Sequence, residues 1–419
     1  MNRLLYTIAT VALIPWAILH LLWRARRQPE YLCHWRERFG FFAAIATKAP
    51  LIWIHAVSVG ETRAAQPLVA ALRQSHPQHG ILLTQMTPTG RQTASELFGA
   101  SVSCVYLPYD LPWAVERFLT HFRPAVGLIV ETEIWPNLIA AGKRRGVPML
   151  LVNARLSERS ARRYAKLASL VRRALEDLAA IAAQGEDDAQ RLTALGAPQV
   201  DVLGNMKFDV APPAAQQVLG ADFRRRIGER PVFVCASTRE GEEEVILDAW
   251  VRFGNPEILL VIVPRHPQRF AAVAALLSRL SIAWQRRSDQ APVAAATRIW
   301  LGDSMGELFA YYAAADIAFV GGTLLDYGGQ NLIEPCALGK PVLIGPSTHN
   351  FADACREAVA IGAARSIGSA EELVKTACAL MLSPPQRRQM GEIALLFTSR
   401  HRGATAKTLA LIERFLARP

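Results

Sequence analysis

At 419 residues the chain is too long for one ordinary hydrophobic core and suits two domains, and with 51% of its residues hydrophobic it can bury large cores. A net charge of +11 calls for acidic partners but does not choose among nucleic acid, an anionic membrane and a phosphorylated substrate. The six cysteines (Cys33, Cys104, Cys235, Cys336, Cys355, Cys378) have no C-x-x-C spacing, which argues against a zinc site or a disulfide framework and fits reduced thiols in a cytoplasmic body.

The first element is the run Leu4 to Trp23, almost wholly apolar and of about the length that spans a hydrocarbon core. Arg24, Arg26 and Arg27 follow it directly, whereas a cleaved signal peptide would carry its basic region first and small residues at its end. Residues 1–27 therefore read as a retained membrane anchor whose basic flank, and the body behind it, lie in the cytoplasm. Pro15, Thr7, Thr10 and His20 keep open a buried or interfacial helix instead. Tyr31 to Phe42 is a basic, aromatic connector.

Residues 28–209 then alternate short apolar runs with helical patterns. The runs are Leu51–Ile54, Gly80–Thr84, Val102–Tyr106, Val126–Val130, Val147–Val152 and Ala179–Ala183. Such alternation predicts a parallel sheet covered by helices on both faces. Val210-Ala-Pro-Pro-Ala-Ala marks a linker, and residues 210–419 repeat the pattern with Pro231–Ala236, Ile258–Val263, Arg298–Leu301, Ile317–Gly321 and Pro341–Ile344. The expectation is an α/β chain of two doubly wound, Rossmann-like domains facing a cleft, its basic last helical region, from about Pro385, able to pack back on the first domain. No solenoid period or low-complexity tract interrupts it.

Candidate chemistry gathers where strands turn into helices. His55-Ala-Val-Ser-Val-Gly-Glu61 places Glu61 in a first helical turn, where Ser58 and Glu61 fit a capping box as well as a catalytic carboxylate. The same spacing recurs at Ser237–Glu240, Ser304–Glu307 and Asn331–Glu334, so several capped starts could serve one anionic ligand. Glu131-Thr-Glu133 could hold a metal but lacks further ligands nearby in sequence, and a helix start with Pro136 in its first turn suits Glu133 better. Arg155 to Arg173 reads as one very basic amphipathic helix, either a solvated face or a surface for phosphates and headgroups. In the second half, Arg265 suits a phosphate, His266 stands beside it, and glycines at 302, 306, 321, 322, 328 and 329 let backbone approach a ligand. None of them forms a dinucleotide or P-loop fingerprint. A nucleic-acid reading has only the charge behind it, since no aromatic-interleaved basic strand or helix-turn-helix is present.

Taken in order, these motifs resemble those of the Kdo transferases, the 3-deoxy-D-manno-octulosonic acid transferases of lipopolysaccharide synthesis. The resemblance rests on the Glu61 stretch, Met86-Thr-Pro-Thr-Gly90, Tyr106-Leu-Pro-Tyr-Asp110, Glu131-Thr-Glu-Ile-Trp-Pro-Asn137, Asn153-Ala-Arg-Leu-Ser157, Lys207-Phe-Asp209, Pro264-Arg-His-Pro267, Gly302-Asp-Ser-Met-Gly-Glu307 and Asn331–Glu334. It implies a glycosyltransferase-B fold and transfer of Kdo from CMP-Kdo to a lipid A precursor (lipid IVA) with inversion, at the cytoplasmic face of the inner membrane. No cofactor, metal or nucleic acid is implied. By motif position Glu61 looks like the general base, with Glu131 and Lys207 as transition-state or substrate stabilisers. Pro264, Arg265, His266, Met305, Gly306, Glu307, Asn331, Leu332, Ile333 and Glu334 look like the CMP-sugar set. The chain departs from the family in having Gln330 where His is common, which puts proton donation there in doubt. An epimerase of the same fold is the alternative.

Overall fold

A computed structural model describes residues 2–43, 49–280 and 282–416. The chain forms two units, Met1–Asp209 with His401–Pro419, and Val210–Arg400. The first holds a parallel sheet of seven strands: β1 (Leu51–His55), β2 (Gly80–Gln85), β3 (Ser103–Tyr106), β4 (Val126–Val130), β5 (Met149–Ala154), β6 (Ala180–Ala183) and β7 (Asp201–Val202), ordered β3-β2-β1-β4-β5-β6-β7. Alternate residues of β1 serve opposite faces. Leu51 and Trp53 pack with Leu82, Phe118 and Ile129, while Ile52 and Ile54 pack with Leu83, Leu128 and Val152. Trp53 needs its neighbour to be glycine, because a Cβ on Gly127 would sit 2.7 Å from the indole.

The second unit builds its own parallel sheet from β8 (Val232–Thr238), β9 (Leu259–Pro264), β10 (Trp284–Arg286), β11 (Ile299–Leu301), β12 (Ile317–Val320), β13 (Val342–Ile344) and β14 (Ala364–Ser366), ordered β10-β11-β9-β8-β12-β13-β14. Its central strands are fully buried and read as continuous apolar runs, which is what covering both faces with helices demands.

Two expected helices are broken. The apolar run Leu4 to Trp23 is not one helix but α1 (Arg3–Ala12) and α2 (Ile14–Ala25), bent by 48°. Pro15 stands in the first turn of α2, where its ring and missing N–H are tolerated but where a continuing helix would lose a bond to residue 11. No single described helix is long and apolar enough to cross a membrane, although the bent pair together has the length and composition. Likewise the basic stretch from Arg155 to Arg173 is two helices, Glu158–Ala165 and Ala168–Asp177, separated by a turn at Lys166 and Leu167.

The final helix, Ala404–Leu416, belongs to the first unit, where Leu411 and Ile412 complete the core beneath Ile52 and Ile54. Asp209 holds its start: one carboxylate oxygen accepts from the Gly403 N–H at 2.6 Å and the other from the Thr405 N–H at 2.5 Å. The Phe208 ring packs at a tilt against His401 beside this clasp. We expect Asp209→Ala to remove a charge-assisted cap contributing about 1–2 kcal/mol. Amide hydrogen exchange in 404–416 should then accelerate roughly 5- to 30-fold. Unchanged protection would mean that apolar packing alone holds the helix.

Candidate functional site

The strand order of the first sheet reverses between β1 and β4, and connections leaving the two strands diverge there, opening a crevice at their carboxyl ends. After β1 comes α3 (Val59–Ala64), capped by Ser58, whose hydroxyl oxygen accepts from the Glu61 N–H at 3.4 Å. The Glu61 carboxylate folds back. One oxygen accepts from the Val57 N–H at 2.6 Å and the other from the Ser58 hydroxyl at 2.9 Å, so both oxygens are located by the loop. Capping and an ordered carboxylate thus coexist at this corner.

After β4 the backbone of Glu131 takes φ +61°, a left-handed conformation that costs a residue with a Cβ about 1–3 kcal/mol. Its carboxylate accepts from the Lys207 ammonium at 2.8 Å. Glu133 lies in the loop ahead of the helix Pro136–Arg144, not in its first turn, because Pro136 itself begins the helix. Burial, then the Glu131 charge, push Glu61 up to about 8, against the two hydrogen bonds that favour its ionised form. Burial, with the Glu131 charge, likewise pushes Glu133 up to about 7. The crevice therefore holds three carboxylates that cannot all ionise at neutral pH, with one ammonium among them. Among the described residues no three metal-ligating side chains come together as a metal site.

Lys207 owes its place to residues that the sequence reading quoted only as motif or missed. It sits on the short turn Met206–Asp209, at whose head the Met206 N–H donates to the Asn153 side-chain oxygen at 2.9 Å. Asn153, buried at the end of β5, also has a positive φ (52°), which asparagine tolerates better than most residues. The Thr132 hydroxyl donates to the Arg155 carbonyl, tying the Glu131 loop to the same strand end.

In the second unit the order reverses between β8 and β12. The expected Ser237–Glu240 cap is absent: Ser237 is left-handed (φ 55°), and the helix starts later, at Glu242. Glu242, which the sequence reading missed, is fully buried. One of its oxygens accepts from the N–H groups of Arg239 (2.9 Å) and Gly322 (2.6 Å), the other from Leu324 (2.9 Å), drawing the loop after β12 onto the one after β8. Gly321 must lack a side chain there, since a Cβ would lie 2.5 Å from the Ser237 carbonyl oxygen.

Pro264 ends β9, and the Arg265 N–H donates to the Thr238 carbonyl at 2.9 Å. Arg239 donates to His266 Nε2 at 2.7 Å, and burial together with the charges of Arg239 and Arg265 keeps that imidazole below its ordinary range. Past β11, Met305 is exposed, Gly306 has φ +76° with open space about it, and Glu307 accepts from Arg287 at 2.9 Å and from the Ser304 hydroxyl at 2.5 Å. Past β12, the Asn331 oxygen accepts from the Ile333 N–H at 3.0 Å and its amide donates to Glu334 at 3.2 Å, while Leu332 and Ile333 are buried. The buried Tyr312 hydroxyl lies within electrostatic reach of both Glu334 and Arg265, which places these two groups in one neighbourhood. The Gln330 amide nitrogen lies against Gly322, 3.4 Å from where a Cβ would stand.

Residues 33–210 match the family model described as 3-Deoxy-D-manno-octulosonic-acid transferase (kdotransferase). A 3-deoxy-D-manno-octulosonic acid transferase of Bordetella pertussis is 44% identical over 434 aligned residues, covering 99% of this chain and 100% of that protein. Among solved structures, a UDP-GlcNAc 2-epimerase of Neisseria meningitidis has a TM-score of 0.60 at 16% identity, covering 87% of this chain and all of that one. A glycosyltransferase of Rickettsia africae has a TM-score of 0.59 at 13% identity, with 89% of this chain and all of that one covered. The two structures share the fold.

The raised Glu61 carboxyl makes stability fall as pH rises. Below its ordinary value of 4.5 the group is neutral in both folded and unfolded chains; between 4.5 and about 8 only the unfolded chain ionises freely, so the folded state loses ground. A glutamine does not titrate. We expect the unfolding free energy of Glu61→Gln, read from denaturant melts, to gain on the parent between about pH 4.5 and pH 8, by on the order of a few kcal/mol, and to run parallel above that. A pH-independent difference would show that Glu61 ionises like an exposed carboxylate.

Proposed function

This chain belongs to the 3-deoxy-D-manno-octulosonic acid (Kdo) transferases of lipopolysaccharide synthesis, and from that premise we propose that it moves Kdo from CMP-Kdo onto a lipid A precursor with inversion at the anomeric carbon. The observation that carries the reading is Glu61: a carboxylate fixed at both oxygens, at the sheet's switch point, whose proton affinity is brought near neutral pH. An acceptor hydroxyl must lose its proton as its oxygen bonds to the anomeric carbon. A base that titrates close to the working pH does this most effectively. Glu61 takes the proton, the bond from the anomeric carbon to the phosphate oxygen breaks, and CMP leaves with that electron pair.

Glu131 and Lys207 serve this step as a pair. The ammonium moderates the carboxylate beside the base, and together they present opposite charges to a sugar whose anomeric centre becomes positive as the leaving group departs. In the second unit Arg265 meets the CMP phosphate, with backbone N–H groups near Gly306 and the Asn331 turn. Glu334 accepts from ribose hydroxyls. Pro264, His266, Met305, Glu307, Leu332 and Ile333 shape the pocket, and Gln330 donates a hydrogen bond where a proton donor is common in the family. No resident metal or cofactor is proposed, because a monophosphate carries less charge than a diphosphate and a guanidinium can meet it. The anionic inner membrane, on its cytoplasmic face, is the proposed location, reached through α1 and α2.

The test is the full-length enzyme in detergent with CMP-Kdo and a lipid A precursor, the product lipid being read by mass spectrometry. We expect Glu61→Gln to lower kcat by roughly 10²- to 10⁴-fold while CMP-Kdo binding stays within about twofold. Arg265→Ala should instead weaken CMP-Kdo binding, and excess EDTA should leave the parent's turnover unchanged. CMP release with no gain in lipid mass would sink the transferase assignment for these residues. Activity that EDTA removes and magnesium restores would make Glu131 and Glu133 metal ligands.

A further inference from the structure

Arg239 stands just past β8, where the strand order of the second unit reverses, and the transfer step proposed above does not use it. Its backbone is gripped on both sides: the N–H donates to the buried Glu242 carboxylate at 2.9 Å, and the carbonyl accepts from the Glu242 N–H at 3.0 Å. Its side chain is set by neighbours from other loops. The guanidinium lies 4.7 Å from the centre of the Tyr327 ring, whose hydroxyl is itself tied to the Glu240 carbonyl at 3.0 Å, and it donates to His266 Nε2 at 2.7 Å. An arginine can only donate, so this contact requires a neutral imidazole; burial, with the charges of Arg239 and Arg265, holds His266 in that form. A Cβ on Gly322 would lie 3.4 Å from the Gln330 amide nitrogen, 3.5 Å from Cγ of Arg239 and 3.5 Å from Cβ of Tyr327. The three side chains meet over one glycine.

Charge at this spot is unbalanced. The carboxylates of Glu240, Glu243 and Glu244 turn to Arg269, at 3.3, 3.1 and 3.1 Å, and Glu242 gives both its oxygens to backbone N–H groups. Among the described residues no ion pair includes Arg239. Stacking on an aromatic ring occupies the face of a guanidinium and leaves the fork of N–H groups at its edge, which is the geometry that a carboxylate matches with two parallel bonds. The half-buried Arg239 is therefore held in one orientation before any ligand arrives.

We propose that Arg239, with the Gln330 amide beside it, binds the carboxylate of the donor sugar. This rests on CMP-Kdo being the donor and adds how an acidic sugar is recognised. An octulosonic acid carries its carboxylate on the anomeric carbon, so the donor presents two anionic groups joined to one atom, that carboxylate and the phosphate that leaves. Arg265 meets the phosphate. The second anion calls for a second cation, and Arg239 is the one whose charge reaches the same imidazole as that of Arg265. The assignment also gives Gln330 a task, because a neutral amide can donate to an oxygen whose charge is already met by a permanent cation. A nucleotide carrying a neutral sugar lacks the carboxylate and leaves the guanidinium unanswered, so Arg239 selects for acidic sugars.

The experiment titrates the full-length protein in detergent with CMP-Kdo and, separately, with CMP, which has the phosphate but no sugar carboxylate. Arg239→Ala keeps the backbone bonds to Glu242, and we expect it to weaken CMP-Kdo binding roughly 10- to 100-fold while CMP binding changes by less than about threefold. Arg239→Lys, which keeps the charge but not the fork, should recover part of the loss. Arg265→Ala should weaken both ligands. If Arg239→Ala melts early, Arg239→Gln, which keeps most of the stem over Tyr327, carries the same comparison. Equal weakening of CMP and CMP-Kdo would put Arg239 on the phosphate and overturn the carboxylate assignment, and no change in either would overturn contact with the donor. A parent protein that fails to bind CMP-Kdo would overturn the donor itself, and this inference with it.

Discussion

Three carboxylates share a partly dry corner with one ammonium, and the architecture of the first unit follows from holding them there. Burial, and after it the neighbouring charge of Glu131, raises the proton affinity of Glu61 and Glu133 far above that of ordinary carboxylates, while Glu131 is engaged by Lys207. Left to relax, side chains so arranged would swing into water. They are kept in place by backbone: Val57 and Ser58 grip Glu61, and a left-handed residue aims Glu131. Strain of this kind persists only where the surroundings over-determine it.

Those surroundings reach far along the chain. Lys207 is separated from Glu131 by 76 residues and is set by Asn153 on one side of its turn and by Asp209 on the other. Asp209 in turn fastens the last helix, so the carboxyl-terminal segment contributes both to the core under β1 and to the stiffness of the turn that presents the ammonium. The second unit uses the same device with other residues. Ser237 is left-handed at a strand end, and the buried carboxylate of Glu242 gathers three N–H groups from two loops, leaving Arg239 and Arg265 to supply positive charge. The first switch point gathers carboxylates around the ammonium of Lys207, and the second sets the guanidinium groups of Arg239 and Arg265 beside loops gathered on a buried carboxylate.

The amino terminus shows why composition and placement are separate questions. A run of twenty residues, almost wholly apolar, suggests a span, but Pro15 divides it, and the Thr7 hydroxyl finds its partner on the protein, with Tyr6 beside the buried Asp110. A polar group in hydrocarbon without a partner is costly, so those contacts bias α1 toward the surface of the body.

Central strands were legible in the sequence because burial on both faces forces short continuous apolar runs, and that is a local property of residues such as Leu51–Ile54 and Val232–Ala236. Glycine and proline at the corners marked where strands turn into helices, and Glu61 and Glu131 stood out as carboxylates at strand ends, whereas Lys207 was picked out only through the resemblance to the Kdo transferases. The edge strands β7, β10 and β14 could not be read, since two or three partly exposed residues such as Trp284–Arg286 carry no pattern and pair only because a neighbour is already there. Nor could the breaks at Leu13 and Lys166, or the failure of Ser237–Glu240 to cap. What only the tertiary structure decided is the electrostatics: Glu61 is unusual because burial and Glu131 surround it, and Glu242 matters because two distant loops meet on it. Proton affinity and ion pairing depend on distances in space between residues far apart in the chain, and spacing along the sequence does not contain them.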